Sequence, residues 1–174
     1  MEEWDVYDYM REKKGYTIKK GDPLKNGEYH LVAHVCLFNS KGELLIQKRR
    51  KDKPNWPGKW DMSAGGAAKA GENSNQAAER ELYEELSIHV PLTKARPVLT
   101  VHFDNGFDDY FIITIGDELA SKINYQEKEI EELAWVSHEQ IVQLIEKNEF
   151  DLLMPFVDLL FHMKEARGNH YSKQ

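Results

Sequence analysis

Gly65-Gly66-Ala67-Ala68-Lys69-Ala70-Gly71-Glu72 leads through Asn73-Ser74-Asn75 into Gln76-Ala77-Ala78-Glu79-Arg80-Glu81-Leu82-Tyr83-Glu84-Glu85-Leu86-Ser87-Ile88. The second half of this stretch has the period of a helix. At about 100° per residue, Ala78, Leu82 and Leu86 share one apolar stripe, and Glu81, Glu84 and Glu85 lie on the arc beside it. Glu81 and Glu85 are one turn apart, and no Lys or Arg lies three or four residues beyond any of the three. Like charges at that spacing repel by about 0.2–0.5 kcal/mol per pair. A solvated acidic face is one reading of such an arc. A missing cation is the other, and oxygen ligands suit a hard divalent ion, Mg²⁺ first with Mn²⁺ as the alternative.

The wider spacing favours the cation. Gly66, five residues, Glu72, seven residues, then Arg80-Glu81-Leu82-x-Glu84-Glu85-x-Ser87-Ile88 resembles the signature box of the Nudix hydrolase family. Ser87 is the one departure, standing where that box has glycine. A glycine there ends the helix in a left-handed turn, so Ser87 is expected to lower stability and leave the chemistry alone. The resemblance implies an α/β fold, a Nudix-type α/β/α sandwich with a mixed sheet. It implies Glu81, Glu84 and Glu85 as metal ligands, joined by a backbone carbonyl of Gly65 or Gly66, with one glutamate as a candidate base. Arg80 and Glu72 are expected to form a supporting pair across the loop.

A small-molecule diphosphate needs a second clamp. Lys48-Arg49-Arg50-Lys51-x-Lys53 is a dense basic cluster, for which a solvated charge run is the plain reading. Leu44 to Arg49, followed by Trp56-Pro57-Gly58-x-Trp60, resembles the isopentenyl-diphosphate isomerase-like branch, in which the positions matching Arg49 and Lys53 hold diphosphate oxygens. The isomerase itself needs a Cys-Gly-His stretch, and Gly65-Gly66-Ala67 stands there instead. His30 matches a metal histidine of the isomerase but reads here as a strand histidine with an ordinary hydrogen bond. The resemblance therefore implies a hydrolase acting on a diphosphate linkage, with an isomerase or a non-catalytic binding domain as the other readings. It leaves the substrate's second moiety open. Trp56, Phe103, Phe107 and Tyr110 are candidates to stack a base, or else core residues. Asp108, Asp109 and Glu127-Lys128-Glu129 are candidates for a base outside the box.

The 174 residues suit one domain with a short extension, divided as extension 1–28, catalytic domain 29–168 and polar tail 169–174. A net charge of −7 argues against nucleic acid as partner. No apolar run is long enough to span a membrane, no leader pattern opens the chain, and the single Cys36 reads as a core residue. A cytoplasmic protein is expected, with a homodimer left open. Tyr29 to Asn39 reads as a strong strand. It turns at Ser40-Lys41-Gly42 into a hairpin partner over Glu43 to Arg49, and a short strand follows at Trp60 to Ser63. Pro97–Asp104 and Asp109–Gly116 read as an antiparallel pair around Asn105-Gly106, and Glu131–Val136 as a strand. Ser137-His138-Glu139-Gln140 is a capping box opening a helix, and a last helix runs from about Pro155 to Ala166.

Overall fold

In a computed structural model, which describes residues 1–54, 56–150, 154–167 and 169–171, the strong strand predicted at residues 29–39 is the spine. It is the third strand in the chain, after β1 (Glu3–Tyr7) and β2 (Lys13–Lys19), so it is β3 (His30–Phe38). Its alternation sorts the molecule into layers. Leu31, Ala33, Val35 and Leu37 bury on one face with Ala77, Ala78, Leu82 and Leu86 of helix α1 (Ser74–Leu86). Cys36 and Phe38 bury on the other face with Ile141, Val157 and Leu160, from helices α3 (His138–Glu146) and α4 (Met154–Arg167). Side chains two apart on a strand share a face, so one β-branched, aromatic-rich strand feeds two cores. The expected α/β/α sandwich is present.

The sheet is mixed, as expected. β3 pairs in parallel with β8 (Gly106–Ile115), and β8 in parallel with β10 (Asn169–Tyr171). β7 (Leu99–Phe103) returns antiparallel on β8 through Asp104-Asn105, close to the predicted turn. The predicted hairpin of β3 with β4 (Leu44–Arg49) closes through Asn39, whose backbone N–H bonds to Glu43. It pairs at Phe38 and Leu44 only, after which β4 splays away to lie between β5 (Trp60–Asp61) and β9 (Ile130–Val136). Antiparallel β6 (Ala64–Ala67) takes the vacated side of β3. A one-turn helix α2 (Asp117–Ala120) follows β8.

Two expectations need correction. The strand expected over Trp60 to Ser63 splits into β5 and β6, because Ser63 turns inward, donating to Leu45 O and accepting from Leu37 N–H. Residues 169–171 of the expected polar tail form β10, since the edge of β8 offers free backbone partners. Residues 1–28, the expected extension, are packed on the domain. They form a β1–β2 hairpin, with Gly15 left-handed inside a bulge, and Val6 and Tyr7 are buried against the domain.

The hairpin is locked by charge. Arg11 forms a bidentate pair with Asp109, whose side chain is fully buried and also accepts from the Thr100 hydroxyl at 2.6 Å. The same guanidinium lies over the Phe107 ring. Asp109 is thereby removed from the candidates for a catalytic base. Removing one partner of a buried pair strands the other charge, so Arg11→Ala is expected to lower stability by about 3 kcal/mol. The readout is the urea midpoint. Arg11→Ala combined with Asp109→Asn should lose clearly less than the sum of the two single changes.

Candidate active site

Helix α1 begins at a reciprocal cap, in which Asn73 accepts from Gln76 N–H and the Gln76 side chain accepts from Asn73 N–H. It ends at Ser87, which is left-handed with φ 57° and ψ 26° as the glycine comparison anticipates. Between these ends the Ala78–Leu82–Leu86 stripe is fully buried, which fixes the rotation of the helix and brings its acidic arc against the loop that precedes it.

The arc is not unpaired. Arg80 Nη1 donates to Glu81 at 2.6 Å and to Glu84 at 3.1 Å, and Lys69 Nζ reaches Glu84 at 3.0 Å. No Lys or Arg follows any of the three glutamates at helical spacing. The partners come instead from four residues before Glu84 and from the loop. Arg80 also grips that loop, through Nε and Nη2 to Glu72 at 2.8 and 2.9 Å and through Nη2 to Ala67 O at 3.0 Å. The expected Arg80–Glu72 pair is therefore present. Burial alone would depress the Arg80 pKa, but Glu72 and Glu81 outweigh it and hold the guanidinium firmly charged. Against burial, which acts the other way, Arg80 and the Lys69 N–H keep Glu72 below the usual carboxylate range.

Glu85 sits deeper, 8% exposed. It accepts from Gln47 Nε2 on β4 at 3.0 Å and from Gly65 N–H on β6 at 3.2 Å, both neutral donors. Burial, reinforced by the charges of Glu81 and Asp61, pushes its pKa up to about 8. Burial also raises Glu81, with Arg80 opposing. Gly66 is explained by contact. A Cβ there would stand 2.3 Å from Glu81 Oε1, so the missing side chain is the space the carboxylate fills. Among the described residues no three His, Cys, Asp or Glu side chains converge into a closed metal cage. The donor set nevertheless fits a hard divalent cation. Glu81 and Glu85 lie beside the β6 backbone, carboxylates outnumber the cations that neutralise them, and Arg80 with Lys69 supplies the positive charge.

The candidate phosphate clamp is split. Arg49 lies on the same side of β4 as Gln47, two residues on, with Nη1 3.8 Å from Asp61. Lys53 is turned to Glu129 at 2.6 Å. Of the candidate aromatics, Phe107 is core and Phe103 covers His30. Trp56 and Tyr110 line a cavity of about 230 Å³ together with His34, Trp60, Asp61, Met62, Asp108 and Phe150. His30 does not make the ordinary hydrogen bond expected of it. Its ring is stacked on Trp4 at 4.5 Å and its buried Nδ1 has no partner among the described residues. Cys36 is core, as expected.

Sequence reasoning passed over Gln47, Asp61, His34 and Asp5. Gln47 is a polar residue at a buried strand position, a readable signal. Asp5 is not readable. It accepts from Gly71 N–H at 2.8 Å while Glu3 O accepts from Ala70 N–H, so β1 braces the loop carrying Glu72.

Residues 28–154, which contain this loop and helix, match the NUDIX domain. The chain belongs to the Nudix hydrolase family. It is 46% identical to an uncharacterized Nudix hydrolase of Listeria monocytogenes over 98% of this chain and all of that one. An isopentenyl-diphosphate Delta-isomerase of Pectobacterium atrosepticum is 33% identical over 54% of this chain and 53% of its own. A crystal structure from Deinococcus radiodurans superposes with a TM-score of 0.72 at 25% identity, covering 91% of this chain and 99% of that one. Nudix hydrolases act on nucleoside diphosphates linked to another moiety and generally use divalent metal ions. This chain is an enzyme of that family.

Glu85 gives this Nudix site a pH signature. The folded chain keeps the Glu85 proton up to about pH 8, whereas an unfolded glutamate releases it near 4.5. Between those values only the folded state binds the proton, so stability falls as pH rises. In EDTA the urea midpoint should decline from about pH 5 to about pH 8, and Glu85→Gln should remove most of that slope. A wild-type midpoint that is flat over this window would show that Glu85 ionises normally.

Proposed function

We propose that the chain is a Mg²⁺-dependent hydrolase that cleaves the diphosphate linkage of a small organic molecule of the nucleoside-diphosphate type, acting in the cytoplasm. One observation carries the reading: Glu81 fills the space left by Gly66 while Glu85, buried beside it, has only neutral donors. Folding alone gives no reason to set two carboxylates there.

Glu81, Glu84, Glu85 and the Gly66 carbonyl would hold the ion, which supplies positive charge at the phosphoryl oxygens. The remaining work belongs to the chain. Arg80, fixed by Glu72 and Ala67 O, orients Glu81 and sets the distance between loop and helix. Gln47 orients Glu85. One of the three glutamates, ionised, would accept the proton of an attacking water. Arg49 and Lys53 would take diphosphate oxygens in exchange for Asp61 and Glu129. An isomerase is disfavoured sterically, since a Cβ at position 65 would lie 2.8 Å from His34 Nδ1 and 3.0 Å from Ala33 O, so the isomerase cysteine has no room. No helix among the described residues is long and apolar enough to cross a membrane.

The test is phosphate release from a panel of diphosphate-linked compounds with Mg²⁺. Glu81→Gln and Glu85→Gln should each lower kcat by about 100-fold or more, a loss that extra Mg²⁺ restores only in part. Turnover at the wild-type rate in both would remove the metal-site reading. Arg49→Ala and Lys53→Ala should each lower kcat/KM by roughly ten-fold to a hundred-fold while leaving Mg²⁺ affinity of the free protein unchanged. Unchanged kcat/KM in both would return the basic cluster to a solvated surface.

A further inference from the structure

The cavity lined by His34, Trp56, Trp60, Asp61, Asp108 and Tyr110 adjoins the glutamates, since Gly65 touches Glu85 through its N–H and lies against His34. His34 stands on β3 two residues before Cys36, so its side chain lies on the sheet face opposite α1. Gly65 is the seam. Its N–H donates to Glu85, and the place its Cβ would take lies 2.8 Å from His34 Nδ1. Asp61 of the lining acts on Glu85 electrostatically and pairs across the sheet with Gln47, which donates to Glu85, so a diphosphate at the glutamates brings the rest of its molecule next to the cavity.

The lining says what that group is. Among the described residues it holds two carboxylates and no Lys or Arg, so it is unsuited to a further phosphate. At about 230 Å³ it is smaller than the roughly 300–1,000 Å³ typical of pockets for whole small molecules, and it suits a single flat ring system. Trp56 forms the rim. It is 57% exposed and its backbone is left-handed, with φ 52°, a conformation unfavourable for a bulky residue. Neither the exposure nor the strain serves the core, and an open indole face at a cavity mouth is a stacking surface. At the wall, Asp108 Oδ1 is paired with His34 Nε2 at 3.3 Å, and the His34 ring is itself held by stacking on Tyr110. Asp108 Oδ2 has no partner among the described residues, whereas both oxygens of Asp61 are engaged, by Met62 N–H and by Arg49. Ionised Asp108 can only accept.

Building on the hydrolase reading, we infer that this cavity binds the nucleobase of the substrate, with Trp56 stacking the ring and Asp108 selecting bases that carry an exocyclic amino group. Replacing that amino group by a carbonyl sets an acceptor against the carboxylate. Adenine should thus be preferred over hypoxanthine, and cytosine over uracil.

The cavity can be tested apart from catalysis. In metal-free protein, adenosine, inosine, cytidine and uridine are titrated while the indole N–H and neighbouring backbone signals are followed by two-dimensional NMR. Adenosine and cytidine should bind about ten-fold more tightly than their carbonyl counterparts. Trp56→Ala should abolish binding and Trp56→Phe restore most of it. Asp108→Asn, whose amide can also donate, should erase the preference without abolishing binding. Shifts that avoid the cavity, equal affinity within each pair, or a preference that survives Asp108→Asn would each overturn the proposal. Nucleoside binding without turnover of any diphosphate would keep this inference and remove the hydrolase reading. Turnover independent of Trp56 would do the reverse.

Discussion

Arg80 ties together what the rest of the site depends on. Its planar fork reaches Glu72 and Ala67 O on the loop while also meeting Glu81 and Glu84 on its own helix. A lysine could neutralise one carboxylate but could not hold these directions at once. The loop that Arg80 clamps is braced from outside by β1, through Glu3 O and the Asp5 carboxylate. The Arg11–Asp109 pair and the buried Val6 and Tyr7 then dock the hairpin on the sheet. The N-terminal segment is therefore part of what holds this loop in place, although the family match begins only at residue 28.

The electrostatics of the site are deliberately incomplete in physical terms. Arg80 and Lys69 serve Glu72, Glu81 and Glu84, and Glu85 is left with an amide and a peptide N–H. Desolvation without a nearby cation favours the protonated acid. Were Glu85 to hold a divalent ion, binding would have to displace that proton, which would link metal affinity to pH through this residue.

Strand alternation sorts the surroundings of β3 into two sides. On one face of β3 the α1 core sets the helix and its glutamates, and on the other His34, Tyr110 and Asp108 wall the cavity. Splaying of β4 from β3 after Leu44 opens the gap in which Gln47, Asp61 and β6 meet. A single glycine, Gly65, lies between the two regions and is kept side-chain-free by His34.

The sequence by itself determined the features that repeat at short range. The Ala78–Leu82–Leu86 stripe, the Glu81–Glu84–Glu85 arc, the left-handed end at Ser87 and the long alternating strand over residues 30–38 all follow from helix or strand period and from capping chemistry. The Glu72–Arg80 pair was legible because its spacing belongs to a recognisable motif. Tertiary structure alone decided which charges meet. Lys69 on Glu84, Arg11 on Asp109 and Asp5 on the Gly71 N–H join segments with no common periodicity. It also decided that Gly65 and Gly66 form a strand, because β6 has no side-chain pattern and exists through backbone pairing to β3. A local pattern fixes which face a residue takes. Its partner depends on how splayed strands and packed helices close in space, and that closure is set by the burial of both cores together.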